Sequence, residues 1–390
     1  MRLLTLLIRV LPDVTALVFV LMVQSLGVML LWRKPEIRAS RTKRAAVLVG
    51  LGCSCAIMVL AVLLRFARVA NRLSPWWSGW GRGFVIAWAM LSVAWVAAIF
   101  LSSWLPPAKS THSASRRGLL LAVRAVLFGA PAAALAYGTF IQRTRIVMRE
   151  ERIVIPNLPP DLDGLRLVQL TDLHVSPFLS IKQLEGAIAM ANETRANIAF
   201  VTGDLITTGD DPLDECLRAL GKLRGDAGVF GCMGNHEAYV SAQDYVETEG
   251  ARRGIRFLRS SAMPLRFGNA TLNLAGVDYQ TPRQPYLAGT EKLIVPGAMN
   301  MLLSHNPDVF PIAAQKGFDF TLSGHTHGGQ VRVEILGADL NLARFFTPYV
   351  DGIYRQGKSS IFVSRGIGTI GLPTRLGSPP EVALIHLCRS

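Results

Sequence analysis

Three stretches of this chain, 14–32, 45–64 and 83–105, run for nineteen to twenty-three residues without a charged side chain. Each is long enough to cross a hydrocarbon core of about 30 Å as a helix. A fourth, 119–141, is interrupted by Arg124, which can snorkel to the interface if it lies near a helix end. Four spans are therefore expected. Charge separates along the same line: residues 1–149 hold 19 Lys/Arg and two acidic residues, whereas 150–390 hold 22 against 25. A basic half this apolar belongs at a membrane, and no nucleic-acid arm reads this way. Half of all residues are hydrophobic and only 17% are charged, which excludes a disordered chain and an ordinary soluble enzyme. The basic loops between spans carry nearly equal charge on the two sides, so they set no orientation; they suit anionic headgroups.

From about residue 145 the pattern becomes short apolar runs separated by polar loops. Strands are expected at 165–170, 198–202, 229–233, 271–277, 301–304, 318–322, 361–364 and 382–387. Helix starts are legible between them. Ser180-x-x-Gln183 has the form of a capping box opening 181–193. Asp211-Pro212 offers an N-cap followed by proline, Ser241-x-x-Asp244 opens another helix, and 307–315 reads as a fourth. The organisation expected is a membrane domain over 1–142, a connector with a first strand over 143–164, and an α/β domain over 165–390. The five cysteines show no metal-type spacing and demand no disulfide.

Five of the seven histidines fall just after predicted strands, beside Asp, Asn or Gly: Asp172-Leu173-His174, Gly203-Asp204, Gly234-Asn235-His236-Glu237, Ser304-His305 and Gly324-His325-Thr326-His327. Ligands gather at such strand ends. Residues two apart on extended backbone point the same way, so Asp172 with His174, and His325 with His327, would each offer two ligands to one point. Imidazole, carboxylate and amide donors together suit Mn, Fe, Zn or Co. Asp172, His174, Asp204, Asn235, His305, His325 and His327 are too many for one ion and fit two that share a carboxylate. His112 and His386 lack such neighbours and read as incidental. Glu237 reads as solvated or bonded to backbone. Arg365 and Arg375, in glycine-rich loops, are candidate forks for a substrate phosphate.

The ordered set D-x-H, G-D, G-N-H-[DE], H and G-H-x-H resembles the calcineurin-like metallophosphoesterases. The flanks Ile155-Pro156-Asn157-Leu158-Pro159, Ser364-Arg365-Gly366-Ile367-Gly368 and Gly371-Leu372-Pro373 look like their membrane-associated branch, that of the YkuE-like proteins and the transmembrane protein with metallophosphoesterase domain. The resemblance implies a four-layer αββα sandwich following the transmembrane helices. It implies that Asp172, His174 and His327 hold one metal, that Asn235, His305 and His325 hold a second, and that Asp204 and a hydroxide bridge them. His236 would stay off the metals and act on the scissile phosphate. Many members place an Asp three residues after the bridging Asp to orient that histidine, but here the position is Thr207. The function expected is hydrolysis of a phosphoester, with membrane lipids as partners and a lipid-linked substrate such as UDP-2,3-diacylglucosamine. The location expected is the bacterial cytoplasmic membrane. Other phospholipids, nucleotide phosphodiesters and a non-catalytic scaffold that keeps the fold are the alternatives.

Overall fold

The computed structural model describes residues 2–66, 75–107, 113–335 and 338–389. By contacts the chain divides into two units, Met1–Tyr137 and Gly138–Ser390.

The first unit is helical: α1 (Arg2–Trp32), α2 (Pro35–Arg38), α3 (Arg41–Phe66), α4 (Pro75–Ser103) and most of α5 (Ala114–Phe140). Three stretches, Arg41–Leu60, Gly79–Ser103 and Ala114–Thr144, are long and apolar enough to cross a membrane, and Val18–Trp32 is a shorter apolar helix. Many of the described large apolar side chains on these helices face outward, among them Phe19, Met29, Val49, Phe84 and Val126. That is the reverse of a water-soluble bundle and is what lipid contact requires. Inside, Gln24 on α1 donates to Ser54 on α3 (2.6 Å) and Ser92 on α4 (2.9 Å), and the Trp88 indole also donates to Ser54. Small polar side chains of this kind hold apolar helices together where no hydrophobic force distinguishes helix from lipid. Arg124 donates to the Pro106 carbonyl at 3.0 Å.

Among the described residues, the second unit contains fourteen strands. β1 (Val147–Ile155), β2 (Arg166–Leu170), β3 (Ile198–Thr202), β4 (Val229–Cys232), β5 (Ile255–Phe257) and β14 (Glu381–Arg389) form one sheet in the order β1-β14-β2-β3-β4-β5. The other sheet has the order β12-β13-β9-β8-β7-β6, from β6 (Ser261–Phe267), β7 (Ala270–Gly276), β8 (Met299–Leu303), β9 (Phe320–Ser323), β12 (Gly352–Gln356) and β13 (Ser359–Val363). β10 (Arg332–Ile335) and β11 (Ala338–Asn341) pair separately. Alternation along the strands sorts the layers. Leu167, Ile198 and Phe200 turn toward Leu272, Leu274, Met301 and Phe320 to form the core between the sheets. Val168, Ala199 and Val201 turn the other way and pack on α6 (Ile181–Glu193) and α7 (Leu213–Leu220). Ala275 and Leu302 pack against Ala313 of α10 (Phe310–Lys316). The result is a helix–sheet–sheet–helix sandwich. β2, β3 and β4 run parallel in one sheet, and β7, β8 and β9 run parallel in the other.

The capping box at Ser180 forms in full: Gln183 N–H donates to Ser180 Oγ, and Ser180 N–H to Gln183 Oε1. Other helix starts differ. Pro212 is the N-cap of α7, not its first residue, because the Asp211 carboxylate turns back to accept from the Thr207 and Thr208 amides. α8 (Asn235–Tyr239) follows β4 in the chain, and α9 (Gln243–Arg252) begins after Ala242, since Ser241 takes left-handed backbone with φ 55°. Residues 307–309 are a 3-10 turn ahead of α10.

Candidate metal centre

The site is built from the turns that follow five strands. β2 leads to Asp172 and His174, β3 to Asp204, β4 to Asn235 and His236, β8 to His305, and β9 to His325 and His327. Extended backbone does not deliver these side chains. Asp172, His174, Asp204, His325 and His327 all have left-handed backbone, with φ between 45° and 76°. Outside glycine this region is uncommon, and Asp and His are among the residues that tolerate it. Side chains from neighbouring strands can therefore converge directly beyond the strand ends. The sequence expectation is corrected for His325 and His327, which do not meet at one point. His327 gathers with Asp172 and His174, whereas His325 gathers with Asp204 and His305.

Among the described residues, three groups have ligand atoms close enough together to hold a metal ion: Asp172, His174 and His327; Asp204, His305 and His325; and His174, Asp204 and His236. Asp204 lies between the first two, its Oδ2 3.5 Å from His174 Nε2 and 3.0 Å from His305 Nε2. His327 Nε2 lies 3.4 Å from Asp172 Oδ1 and 3.1 Å from His174 Nε2. Asn235 Oδ1 is buried without a hydrogen-bond partner, and His305 Nε2 faces the Asp204 carboxylate. Buried polar atoms are almost always satisfied, so the orphaned Asn235 oxygen marks a place where a cation fits. His305 Nδ1 bonds the Thr202 carbonyl at 2.7 Å; since a carbonyl only accepts, Nε2 is the atom turned to the site.

The electrostatics agree with a cation site. Burial pushes His174 down to about 3 and His325 to about 4, and lowers His327 as well, so these imidazoles are neutral donors at ordinary pH. Burial also acts to lower His305, but the Asp204 and Asp172 carboxylates outweigh it and lift it to about 10. Asp172 is raised to about 6 by burial. Burial would raise Asp204 too, yet adjacent His305 holds it far below the usual carboxylate range. His305 and Asp204 would hold a divalent ion in place of the proton that lies between them.

Close approach of two turns fixes the bridging carboxylate. A Cβ on Gly234 would lie 2.1 Å from Asp204 Oδ1, and one on Gly203 would lie 2.5 Å from the Gly234 nitrogen. Glu237 clamps these turns together. It is fully buried, not solvated, and its carboxylate accepts from the amides of Asp204 (2.9 Å), Leu205 (2.8 Å) and Gly234 (2.8 Å). The His236 amide donates to Asp204 Oδ1 at 2.9 Å.

His236 is oriented through its Nδ1, 2.7 Å from the backbone carbonyl of Thr207. A main-chain carbonyl thus takes the part that the resemblance assigns, in many members, to an aspartate side chain. The Thr207 hydroxyl lies 3.2 Å from His174 Nδ1. The His236 ring meets His174 edge-on (4.7 Å) and lies 5.4 Å from the Tyr239 ring, while Tyr279 lies 5.5 Å from His325. Neither tyrosine stood out in the sequence, because only the folded turns bring them to the histidines.

The two arginines go elsewhere. Arg375 is fully buried and is not placed to touch a substrate. Its guanidinium donates to the carbonyls of His327 (2.8 Å) and Gly368, and lies 3.2 Å from His327 Nδ1. Arg365 is turned to Asp351, with Nε 2.8 Å from Oδ2. His386 pairs with Glu150 on the outer part of the first sheet, and His112 lies outside the described residues. Replacing Arg375 with Met is expected to leave several buried carbonyls unpartnered, at about 3 kcal/mol. It should also weaken metal retention about tenfold by releasing His327. Thermal unfolding and chelator titration read both effects. A rise in KM alone, with stability intact, would restore Arg375 as a substrate contact.

Residues 165–329 match the sequence pattern of the calcineurin-like phosphoesterases. The chain is 26% identical over 254 residues to the uncharacterized metallophosphoesterase YkuE of Bacillus subtilis, covering 64% of this chain and 88% of that protein. It is 30% identical over 243 residues to the phosphodiesterase YaeI of Escherichia coli, covering 57% and 82%. It is also 30% identical over 250 residues to the transmembrane protein with metallophosphoesterase domain of Danio rerio, covering 60% of this chain but only 56% of the longer fish protein. Fold, strand-end histidines and these relatives agree: the chain belongs to the calcineurin-like metallophosphoesterases and is a metal-dependent phosphoesterase.

Proposed function

We propose that this chain is a multi-pass protein of the bacterial cytoplasmic membrane that uses two divalent ions, drawn from Mn, Fe, Zn or Co, to hydrolyse a lipid-linked phosphoester or pyrophosphate. A UDP-2,3-diacylglucosamine-type pyrophosphate is the leading specific case. The observation that carries the reading is the placement of Asp204 between two groups of ligands at adjoining strand ends. Asp172, His174 and His327 would hold one ion, Asn235, His305 and His325 the other, and Asp204 both. Ions bound there supply nucleophile activation and charge neutralisation for an in-line displacement at phosphorus.

The chain's own groups do the rest. His236 keeps Nδ1–H on the Thr207 carbonyl, so the transferable proton belongs to Nε2, where it can pass to the leaving oxygen. Glu237 and the two glycines hold Asp204 in place. Tyr239 and Tyr279 offer ring faces beside His236 and His325. The lipid part of the proposal is supported by the apolar helices, since a soluble substrate needs no such anchor.

The test uses the full chain in lipid nanodiscs, supplied with Mn. Hydrolysis of bis(4-nitrophenyl) phosphate should appear, vanish with chelator and return on adding metal. The diacylated sugar nucleotide should be cleaved with at least tenfold higher kcat/KM than its deacylated form. No turnover of any phosphoester with any of the four metals would sink the proposal. Equal rates on acylated and deacylated substrates would confine it to phosphoester hydrolysis without lipid preference.

A further inference from the structure

Beside the ligand His327 the catalytic unit carries an exposed apolar ridge. It comprises the paired strands β10 and β11 and the 3-10 turn after them, Leu342–Phe345. Leu340 and Leu342 are 56% and 62% exposed, and Phe345 and Phe346 are 85% and 87% exposed. Two adjacent phenylalanines in water at that exposure are unusual, and contiguous apolar surface of this kind marks a binding site or a membrane contact. The ridge is tied down by side-chain contacts. Asp339 pairs with Arg332 and Arg344 at 2.9 Å each, so the turn is braced from both sides. Buried Asn341 caps Ala343 N–H with Oδ1 and donates from Nδ2 to the Gly328 carbonyl, one residue from His327. The ridge is therefore bonded to the residue next to His327.

What covers it is indicated by continuity along the unit. The catalytic unit begins with the last turn of α5, within the membrane-length stretch Ala114–Thr144, and Phe140 and Ile141 there are exposed. The 370–377 loop is bonded to that turn: Arg375 N–H donates to the Gly138 carbonyl, Thr374 and Thr139 hydroxyls lie 2.6 Å apart, and Gly377 N–H donates to Gln142. The same loop is bonded to the start of β10, where Arg332 N–H donates to the Leu376 carbonyl. Exposed Ile370 lies on this loop. Apolar surface thus recurs on linked segments from the end of a membrane-length helix to the ridge beside His327. A bilayer is the apolar phase that a helix of this length and composition is suited to cross.

We propose that Leu340, Leu342, Phe345 and Phe346 form a lip that inserts into the lipid surface and seats the mouth of the metal site on the leaflet, so that phosphoester headgroups enter directly from the membrane. The insertion stands on the exposed residues; the entry of headgroups rests on the phosphoesterase reading above. The full chain in phosphatidylethanolamine–phosphatidylglycerol nanodiscs provides the test. A benzophenone amino acid in place of Phe345 should crosslink to acyl chains on illumination, with the same label at Leu60 as the positive control. The double variant Phe345→Ser with Phe346→Ser should cleave bis(4-nitrophenyl) phosphate within twofold of the parent. On a phosphatidyl-4-nitrophenol, which has the same leaving group, it should be at least tenfold slower. Crosslinks to protein only, or none while Leu60 reacts, would overturn the proposal, as would equal loss on both substrates. A parent that crosslinks to lipid yet cleaves neither substrate would uphold insertion and refute the phosphoesterase reading instead.

Discussion

Asp204→Asn is expected to remove hydrolysis almost completely, by about 10³-fold or more in kcat. The side chain faces both ligand groups at once, 3.5 Å from His174 and 3.0 Å from His305. Its negative charge is the feature that an amide does not reproduce. Lewis-acid stabilisation by a bound ion is worth several kcal/mol, and each 1.36 kcal/mol is tenfold in rate. Asparagine keeps an acceptor for the His236 amide and tolerates the left-handed backbone at this position, so the fold should survive. Metal content by elemental analysis and kcat on an aryl phosphodiester, measured on one preparation, check the point. Full metal content with full activity in Asp204→Asn would exclude the shared-carboxylate arrangement.

His236→Ala should behave differently: kcat falls by about 10²–10⁴-fold, the range typical of a lost general acid, while metal content stays near that of the parent. The loss should shrink with leaving-group acidity, because a nitrophenolate departs without a proton and an alkoxide does not. A comparison of 4-nitrophenyl and alkyl esters measures this. Thr207→Val provides the contrast. His236 is held by the Thr207 carbonyl, which valine retains, so kcat should change by no more than about threefold even though the Thr207 hydroxyl near His174 is gone. A collapse of kcat in Thr207→Val comparable to His236→Ala would mean that the side chain does the orienting.

The part of the site that could be read in the sequence is the part carried by residue type. Asp, Asn and His are the side chains with the donor atoms a transition metal needs, and they recur in short segments after apolar runs. The capping box at Ser180 was equally legible, since both of its bonds lie within three residues. Other features depend on atoms that every residue shares or on distant contacts. The orienter of His236 is a main-chain carbonyl, which no residue letter signals. The role of Glu237 depends on three amides brought together by two loops. Arg375 looked like a phosphate fork because it stands among glycines, but the loops around it fold inward and aim their carbonyls at it. β1 is rich in charge because it lies at the edge of its sheet, where alternate residues meet water.

The left-handed turns have a practical consequence for dissecting the centre. At Asp172, His174, Asp204, His325 and His327 a substitution changes two properties together, the donor atom and the freedom of the main chain to bend. Alanine removes the donor and also resists the bend, and valine or isoleucine resists it more. Glycine removes the donor but accepts the geometry without steric cost. Replacement by glycine at these five positions therefore separates the loss of a ligand from damage to the turn, whereas an alanine series would confound them. At Asn235 and His305, which are not among the left-handed residues, alanine serves that purpose.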